Sequence, residues 1–147
     1  MNRNKILLTV LFFLIMINSN LLAQDNFHLS VVVTGAQPNK GKIVLSVFNS
    51  EEAYLKDSFL NKTSDVGENG TIQFELHDLK PGVYAISVFY DEDSNGELKT
   101  GFMGIPKEKV GFSNNIKGTF GPPPFSKTSF ELSHAQSIQI NLGKAKN

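Results

Sequence analysis

Cysteine and tryptophan are both missing from the 147 residues. Without cysteine there is no thiol nucleophile, no thiolate zinc site and no iron–sulfur ligation. No disulfide can brace the fold, so stability has to come from a hydrophobic core. Blocks of basic charge are missing too: apart from Lys5, the lysines are scattered from Lys40 to Lys146. That pattern lacks the electrostatic footprint of a polyanion binder, and nucleic acid is not an expected partner. No apolar run reaches the roughly 20 residues that a membrane-spanning helix needs. Phosphate-binding loops, dinucleotide fingerprints and internal repeats are absent as well.

The apolar run that does occur is short and lies at the start. Met1–Lys5 carries Arg3 and Lys5, Ile6–Ile17 is almost unbroken apolar sequence, and Asn18–Asn20 is a polar break before Leu21-Leu22-Ala23. This order of charge, apolar stretch and small residue predicts a signal peptide over residues 1–23, cut after Ala23. The chain is therefore expected to be exported, to the periplasm or the medium, with no membrane span after cleavage. The mature part, 24–147, reads as a single domain with 12 basic and 14 acidic residues, a net charge of −2.

Within that part, period-two alternation dominates. Phe27, Leu29, Val31 and Val33 alternate with more polar neighbours, and Ile43, Leu45 and Val47 repeat the pattern after a turn at 35–41. Residues 27–49 are thus expected to form a hairpin. Ser50 can cap a short helical turn that sends Tyr54, Leu55 and Phe59 inward. A polar turn over 61–70 leads to a strand with Ile72, Phe74 and Leu76. Pro81-Gly82 forms a tight turn before Tyr84–Tyr90, a stretch apolar on both faces and suited to a central strand. Tyr84 after Leu79-Lys80-Pro81-Gly82-Val83 suits a tyrosine corner, in which the phenol bonds to upstream backbone. Phe130 and Leu132, then Ile138, Ile140 and Leu142, mark the last strands. The fold class expected is all-β: an antiparallel Greek-key β-sandwich, immunoglobulin-like or transthyretin-like, with one long ordered loop and at most a short helical turn.

Asp91-Glu92-Asp93-Ser94-Asn95-Gly96 matches the first half of a calcium loop, D-x-[DN]-x-[DN]-G. The metal ligands would be Asp91, Asp93, Asn95 and the carbonyl of Glu97. Lys99 and Phe102 stand where later ligands belong, so an ion would need Glu97, Glu92, water or a distant carboxylate such as Asp78. The expected affinity is that of weak extracellular calcium sites, about 10⁻⁴–10⁻³ M. The same residues also suit an ordinary turn, because Asp, Asn and Gly tolerate left-handed backbone and bond to their own chain.

From Gly101 to Phe125 the sequence has no period but holds Phe102, Phe112, Phe120 and Phe125, and such rings are expected to pin an Ω-like loop to the domain. Pro122–Pro124 should be a stiff polyproline stretch. Asn114 and Asn115 either offer amides to a ligand or satisfy buried backbone. Phe102, Asn114, Asn115, Phe120 and Phe125 form the candidate ligand or partner surface. His28, His77 and His134 lie in or beside different strands without zinc-ligand spacing, and Ser113 lacks the context of a nucleophile elbow.

The run from Pro-Gly-Val-Tyr through Asp-x-Asp-x-Asn-Gly, Gly-Ile-Pro-Lys-Glu and Gly-Phe-Ser-Asn-Asn to Phe-Gly-Pro-Pro-x-Phe resembles the bacterial family called domain of unknown function 2141. The resemblance implies an exported β-domain and supplies no activity. It also implies an acidic residue at the position Lys99 holds, a departure that weakens the calcium reading. The leading expectation is a non-catalytic binding or accessory module that uses the 91–125 loops against an envelope protein, a peptide or a glycan. The alternatives are a purely structural envelope domain, or a small hydrolase working with Asp91, Asp93 or Glu97 under a loop lid.

Overall fold

Alternation along the chain becomes two packed sheets in the computed structural model, which describes residues 26–118 and 121–145. The expected signal peptide, its cleavage point and Phe120 lie outside these residues. The strands are β1 (Phe27–Thr34), β2 (Lys42–Phe48), β3 (Leu60–Asp65), β4 (Ile72–Leu79), β5 (Gly82–Asp91), β6 (Val110–Phe112), β7 (Phe130–Leu132) and β8 (Gln136–Asn141). One sheet has the order β4-β1-β8. The other runs β3-β2-β5-β6, and β7 also pairs with β5. All pairings are antiparallel except β1 with β8.

The core lies between the sheets and is built from the residues that the alternation singles out. Leu29, Val31 and Val33 of β1 face Ile43, Leu45 and Val47 of β2, with Phe74, Leu76, Ile86, Val88, Leu132 and Ile140 around them. Each such side chain contributes roughly 1.5–3 kcal/mol by leaving water. β5 is the central strand. β2 covers one edge, while β7 and then β6 share the other. Its second face is closed by a smaller cluster in which Ala85 meets Phe48, Tyr54 and Phe125. Phe125 opens the single-turn helix α1 (Phe125–Thr128), and Pro124 before it is extended at φ −69° and ψ 157°, in keeping with a polyproline approach. The tyrosine corner is present: Tyr84 Oη donates to the Lys80 carbonyl at 2.9 Å.

Four expectations about local structure change. β1 and β2 do not form a hairpin; they belong to different sheets, and β1 lies between β4 and β8. The connection over 35–41 crosses between layers, and this long-range pairing leaves no trace in strand periodicity. The expected polar turn over 61–70 begins instead with an edge strand, β3, which has almost no apolar alternation. Its backbone pairs with β2, Ser46 Oγ donates to Asn61 Oδ1 at 2.7 Å, and its polar composition with Lys62 suits an unpaired edge. In the turn after Ser50, whose Oγ accepts from Ala53 N at 3.3 Å, Tyr54 points inward but Leu55 and Phe59 are exposed. Left-handed backbone at Leu55 (φ 58°) breaks the helical turn there.

The fourth change is in the long loop, which is partly regular. β6 runs along β5, and its Gly111 passes so close to β8 that a Cβ would lie 2.6 Å from Ile140 Cγ2. Val110 and Gly143 exchange backbone hydrogen bonds at 2.9 Å, tying the second sheet to the end of β8. No helix among the described residues is long and apolar enough to cross a membrane.

Candidate functional site: a carboxylate-closed tip

β5 ends at Asp91, and the chain must turn there. Asp91 is 1% exposed. Its Oδ1 accepts from Asn95 N at 3.0 Å and its Oδ2 from Gly96 N at 2.8 Å. Asn95 Oδ1 accepts from Glu97 N at 2.7 Å. Left-handed backbone at Ser94 and Gly96 makes the reversal. Asp, Asn and Gly thus do here what they do in turns generally: short side chains bond to backbone a few residues ahead.

A second hairpin follows. Lys107 N donates to Lys99 O at 2.8 Å, Gly101 N to Ile105 O at 2.7 Å, and Thr100 bridges to Pro106. Left-handed Met103 (φ 59°) and Gly104 (φ 73°) make its tip. Just beyond its return arm, Glu108 is buried. Its Oε1 accepts from Glu92 N at 3.2 Å and its Oε2 from Lys99 N at 2.9 Å. One carboxylate therefore ties the first turn to the base of the second. The frame is anchored at the other side by Tyr90, whose Oη donates to Lys40 O at 2.9 Å. Gly41, at φ +72°, runs so close to the end of β5 that a Cβ would lie 2.5 Å from Asp91 O.

Asp91, Asp93 and Glu108 each place a carboxylate oxygen within 4.8 Å of the others. The Lys99 ammonium pairs with Asp93 Oδ2, and Lys40 pairs with Glu92 at 2.5 Å. The hydrogen bond from Lys99 holds the Asp93 carboxyl below its ordinary range against the effect of burial, and the same bond holds the Lys99 ammonium above its own. The Lys40–Glu92 bond acts alike, lowering the carboxyl and raising the ammonium. These pairs are about half exposed, so screening by water keeps their worth small.

The structure thus joins Asp91 and Asp93 and adds Glu108, a residue that sequence reasoning missed. The available signal was its place just before β6, in register with the end of β5. Asn95 is near, but its carbonyl oxygen is committed to Glu97 N and its amide to Asp93 at 3.3 Å. Glu97 is exposed and stands outside the carboxylate group. Asp78 lies on β4, before the start of the ten-residue strand β5 that ends at Asp91. At about 3.3 Å per residue β5 is roughly 30 Å long, and Asp78 is not among the carboxylates gathered at its far end. An ion at the tip would be held by Asp91, Asp93 and Glu108. It would share their remaining lone pairs with backbone N–H groups and compete with Lys99 for Asp93.

The expected surface residues divide. Phe102 is 86% exposed and Met103 is 82% exposed, side by side at the hairpin tip. Phe102 therefore does not pin the loop; the reversal at Met103 and Gly104 turns it away from the domain. Phe125 packs edge-on against Tyr54, ring centroids 5.6 Å apart. Asn114 Nδ2 donates to the carbonyls of Lys127 and Ser129 at 3.0 and 2.9 Å. Asn115 Nδ2 donates to Gln139 O, and its Oδ1 accepts from Asn141 N, capping the edge of β8. Ser113 is fully buried between β5 and α1, accepting from Ile86 N at 2.9 Å and donating to Thr128 O at 2.5 Å. The Ser-Asn-Asn run is thus a clamp on backbone. A shallow open depression nearby is lined by Ile116, Pro122–Pro124, Lys117 and Lys127.

With this geometry in place, comparison with known proteins assigns a family. The profile of uncharacterised proteins conserved in bacteria, DUF2141, matches residues 31–140, which include the carboxylate-closed tip, the six strands β2–β7, β1 from Val31 on and all of β8 but its last residue. The chain belongs to the DUF2141 family. No curated protein matches it. Among solved structures, the major plantain pollen allergen Pla l 1 aligns over 84% of this chain and 98% of that chain, with 11% identity and a TM-score of 0.31. A likeness so slight bears neither on fold nor on function. For this DUF2141 protein, any role has to be argued from the tip and the sheet faces themselves.

Proposed function

We propose that the chain is an exported, non-catalytic binding module whose recognition element is the 99–107 hairpin. The basic, apolar and small-residue order of residues 1–23 supports export. The observation that carries the binding reading is the exposure of Phe102 and Met103 on a hairpin whose base Glu108 ties to the turn that Asp91 closes. Large apolar side chains standing in water on a fixed support are the usual anchors of protein interfaces. A support fixed in advance lowers the ordering cost of association. The partner's chemistry is that of an apolar socket on an envelope protein or peptide. A glycan would call for planar polar groups around the ring, and here Asn114 and Asn115 are occupied with backbone.

The test is site-specific photocrosslinking in the native envelope with benzophenone chemistry at position 102, and at Lys56 as a control. A discrete adduct at 102, absent at 56 and lost when Met103 is changed to Ser, supports the reading. Equal or no labelling at the two sites contradicts it.

Weak calcium binding is a second reading, favoured by one observation. Glu108 brings to Asp91 and Asp93 the carboxylate that Phe102 cannot supply. Its role would be to brace the same hairpin, and Lys99 would oppose it. Calcium at about 1–5 mM, at or above the roughly 10⁻⁴–10⁻³ M dissociation constants of weak extracellular sites, should raise the melting temperature, and more so in Lys99→Ala. An unchanged melting temperature in both proteins removes this reading and leaves the binding proposal intact.

A further inference from the structure

The outer face of the three-stranded sheet carries His28 and Ser30 on β1 beside Gln73, Glu75 and His77 on β4. β1 and β4 pair Phe27 with Leu79 and Leu29 with Leu76, so two steps on β1 face three on β4. His77 and Asp78 therefore both stand opposite His28, and both are exposed between buried Leu76 and Leu79. Asp78 takes up the extra residue with φ 58°. Such a bulge re-aims neighbouring side chains. Here it lays the His77 ring against His28, with centroids 4.7 Å apart and planes inclined by 6°.

Glu75 completes the group. Its Oε2 is hydrogen-bonded to His28 Nε2. Its Oε1 accepts from Ser30 Oγ at 3.3 Å and from Gln73 Nε2 at 2.5 Å, and Gln73 also donates to Ser30 at 3.0 Å. One carboxylate oxygen is thus anchored by two neighbours while the other is aimed at an imidazole nitrogen.

We propose that His28, His77 and Glu75 form a surface site for a divalent transition-metal ion of the zinc class. Two imidazoles and one carboxylate are a zinc donor set, leaving a fourth position to water. Their nitrogen donors exclude calcium and magnesium, which take oxygen. An ion with bonds of about 2.0–2.2 Å in tetrahedral geometry needs its donor atoms about 3.3 Å apart. In their present rotamers the three groups are not gathered to that spacing; binding requires the stacked rings to turn about their own side-chain bonds, which their exposure permits. The ion takes the place of the hydrogen bond between His28 and Glu75. Ser30 and Gln73 then act as outer partners that orient the carboxylate. The site is on the opposite sheet from the tip and does not depend on the reading given to the tip.

The experiment is a titration of the tag-free mature chain with zinc chloride, followed by calorimetry and by NMR of the histidine rings. One equivalent is expected to bind, shifting the ring signals of His28 and His77 and leaving His134 in place. His28→Gln, His77→Gln and Glu75→Gln should each weaken binding by about tenfold or more, with melting temperatures unchanged because all three side chains are at the surface. Calcium should leave both rings unmoved. The proposal is overturned if neither ring responds up to about 1 mM zinc, or if the doubly substituted His28→Gln/His77→Gln protein binds as the parent does. Ring shifts in the unsubstituted chain need no variant to fold, so the first criterion stands alone.

Discussion

The tip at the end of β5 and the outer face of the β4-β1-β8 sheet both gather ligating side chains, and they use them in opposite ways. At the tip, the motif is contiguous in sequence and its oxygens are bonded to the chain's own N–H groups and to Lys99. On the sheet face, the residues are 47 and 49 positions apart, and Glu75 Oε2 and the two imidazoles are accessible from solvent. A recognisable motif therefore marks residues that close the fold, while the residues without a motif bond to one another at the surface, where a ligand can compete for them. The difference arises because turn-forming carboxylates satisfy part-buried backbone donors that the turn leaves without a backbone partner, while exposed strand faces carry no such obligation.

The largest effect that could break this contrast is expected at Asp91. Asp91→Ala removes the buried carboxylate that accepts from the part-buried N–H groups of Asn95 and Gly96 and should lower stability by about 2–4 kcal/mol in urea unfolding. A loss under about 0.5 kcal/mol, the level of ordinary surface changes, would show that the tip is not held in this way. Gly111→Ala comes next, at about 1–3 kcal/mol from overpacking against Ile140 and Val88. A cooperative loss by all probes would show the two sheets unfolding as one unit; separate transitions would divide the regions physically.

Smaller is the pH dependence of the tip's ion pairs. Asp93 and Glu92 have folded pKa values below their unfolded ones. Their stabilisation is therefore complete above the unfolded carboxyl range, about pH 4, and is lost as pH falls through the lowered values. Lys99 and Lys40 are raised, so theirs is complete below about pH 10.4 and is lost as pH rises through the raised values. Thermal melting at low salt should show both slopes, and Lys99→Met should flatten the part due to Asp93. Smallest in stability is Phe102→Ser with Met103→Ser, within about 0.5 kcal/mol, and Met103→Ser alone should abolish crosslinking from benzophenone at position 102. A large loss of stability would mean that these side chains pack within the domain.

Strand positions were largely legible because one-sided burial imposes alternation, as in Leu29-Val31-Val33 and Ile72-Phe74-Leu76. The Tyr84 corner and the turn at Asp91 could be read for the same reason: both are local. Pairing was not legible. β1 lies against β4 and β8, and without that knowledge His28 and His77 look unrelated. Glu108 was hidden because its partners, Glu92 N and Lys99 N, are reached only after the hairpin closes. β3 escaped notice because backbone pairing and polar cross-strand contacts form it without an apolar face. The outward turn of Phe102 depends on left-handed backbone at Met103, a residue type that seldom adopts it.

The most direct measurement is amide hydrogen exchange at Gly96 and Lys99 in calcium-free buffer. If Asp91 and Glu108 close the tip by themselves, both amides exchange slowly without any added ion, and Asp91→Ala and Glu108→Ala release them. Fast exchange at both positions that becomes slow only when calcium is added would contradict a self-closed tip.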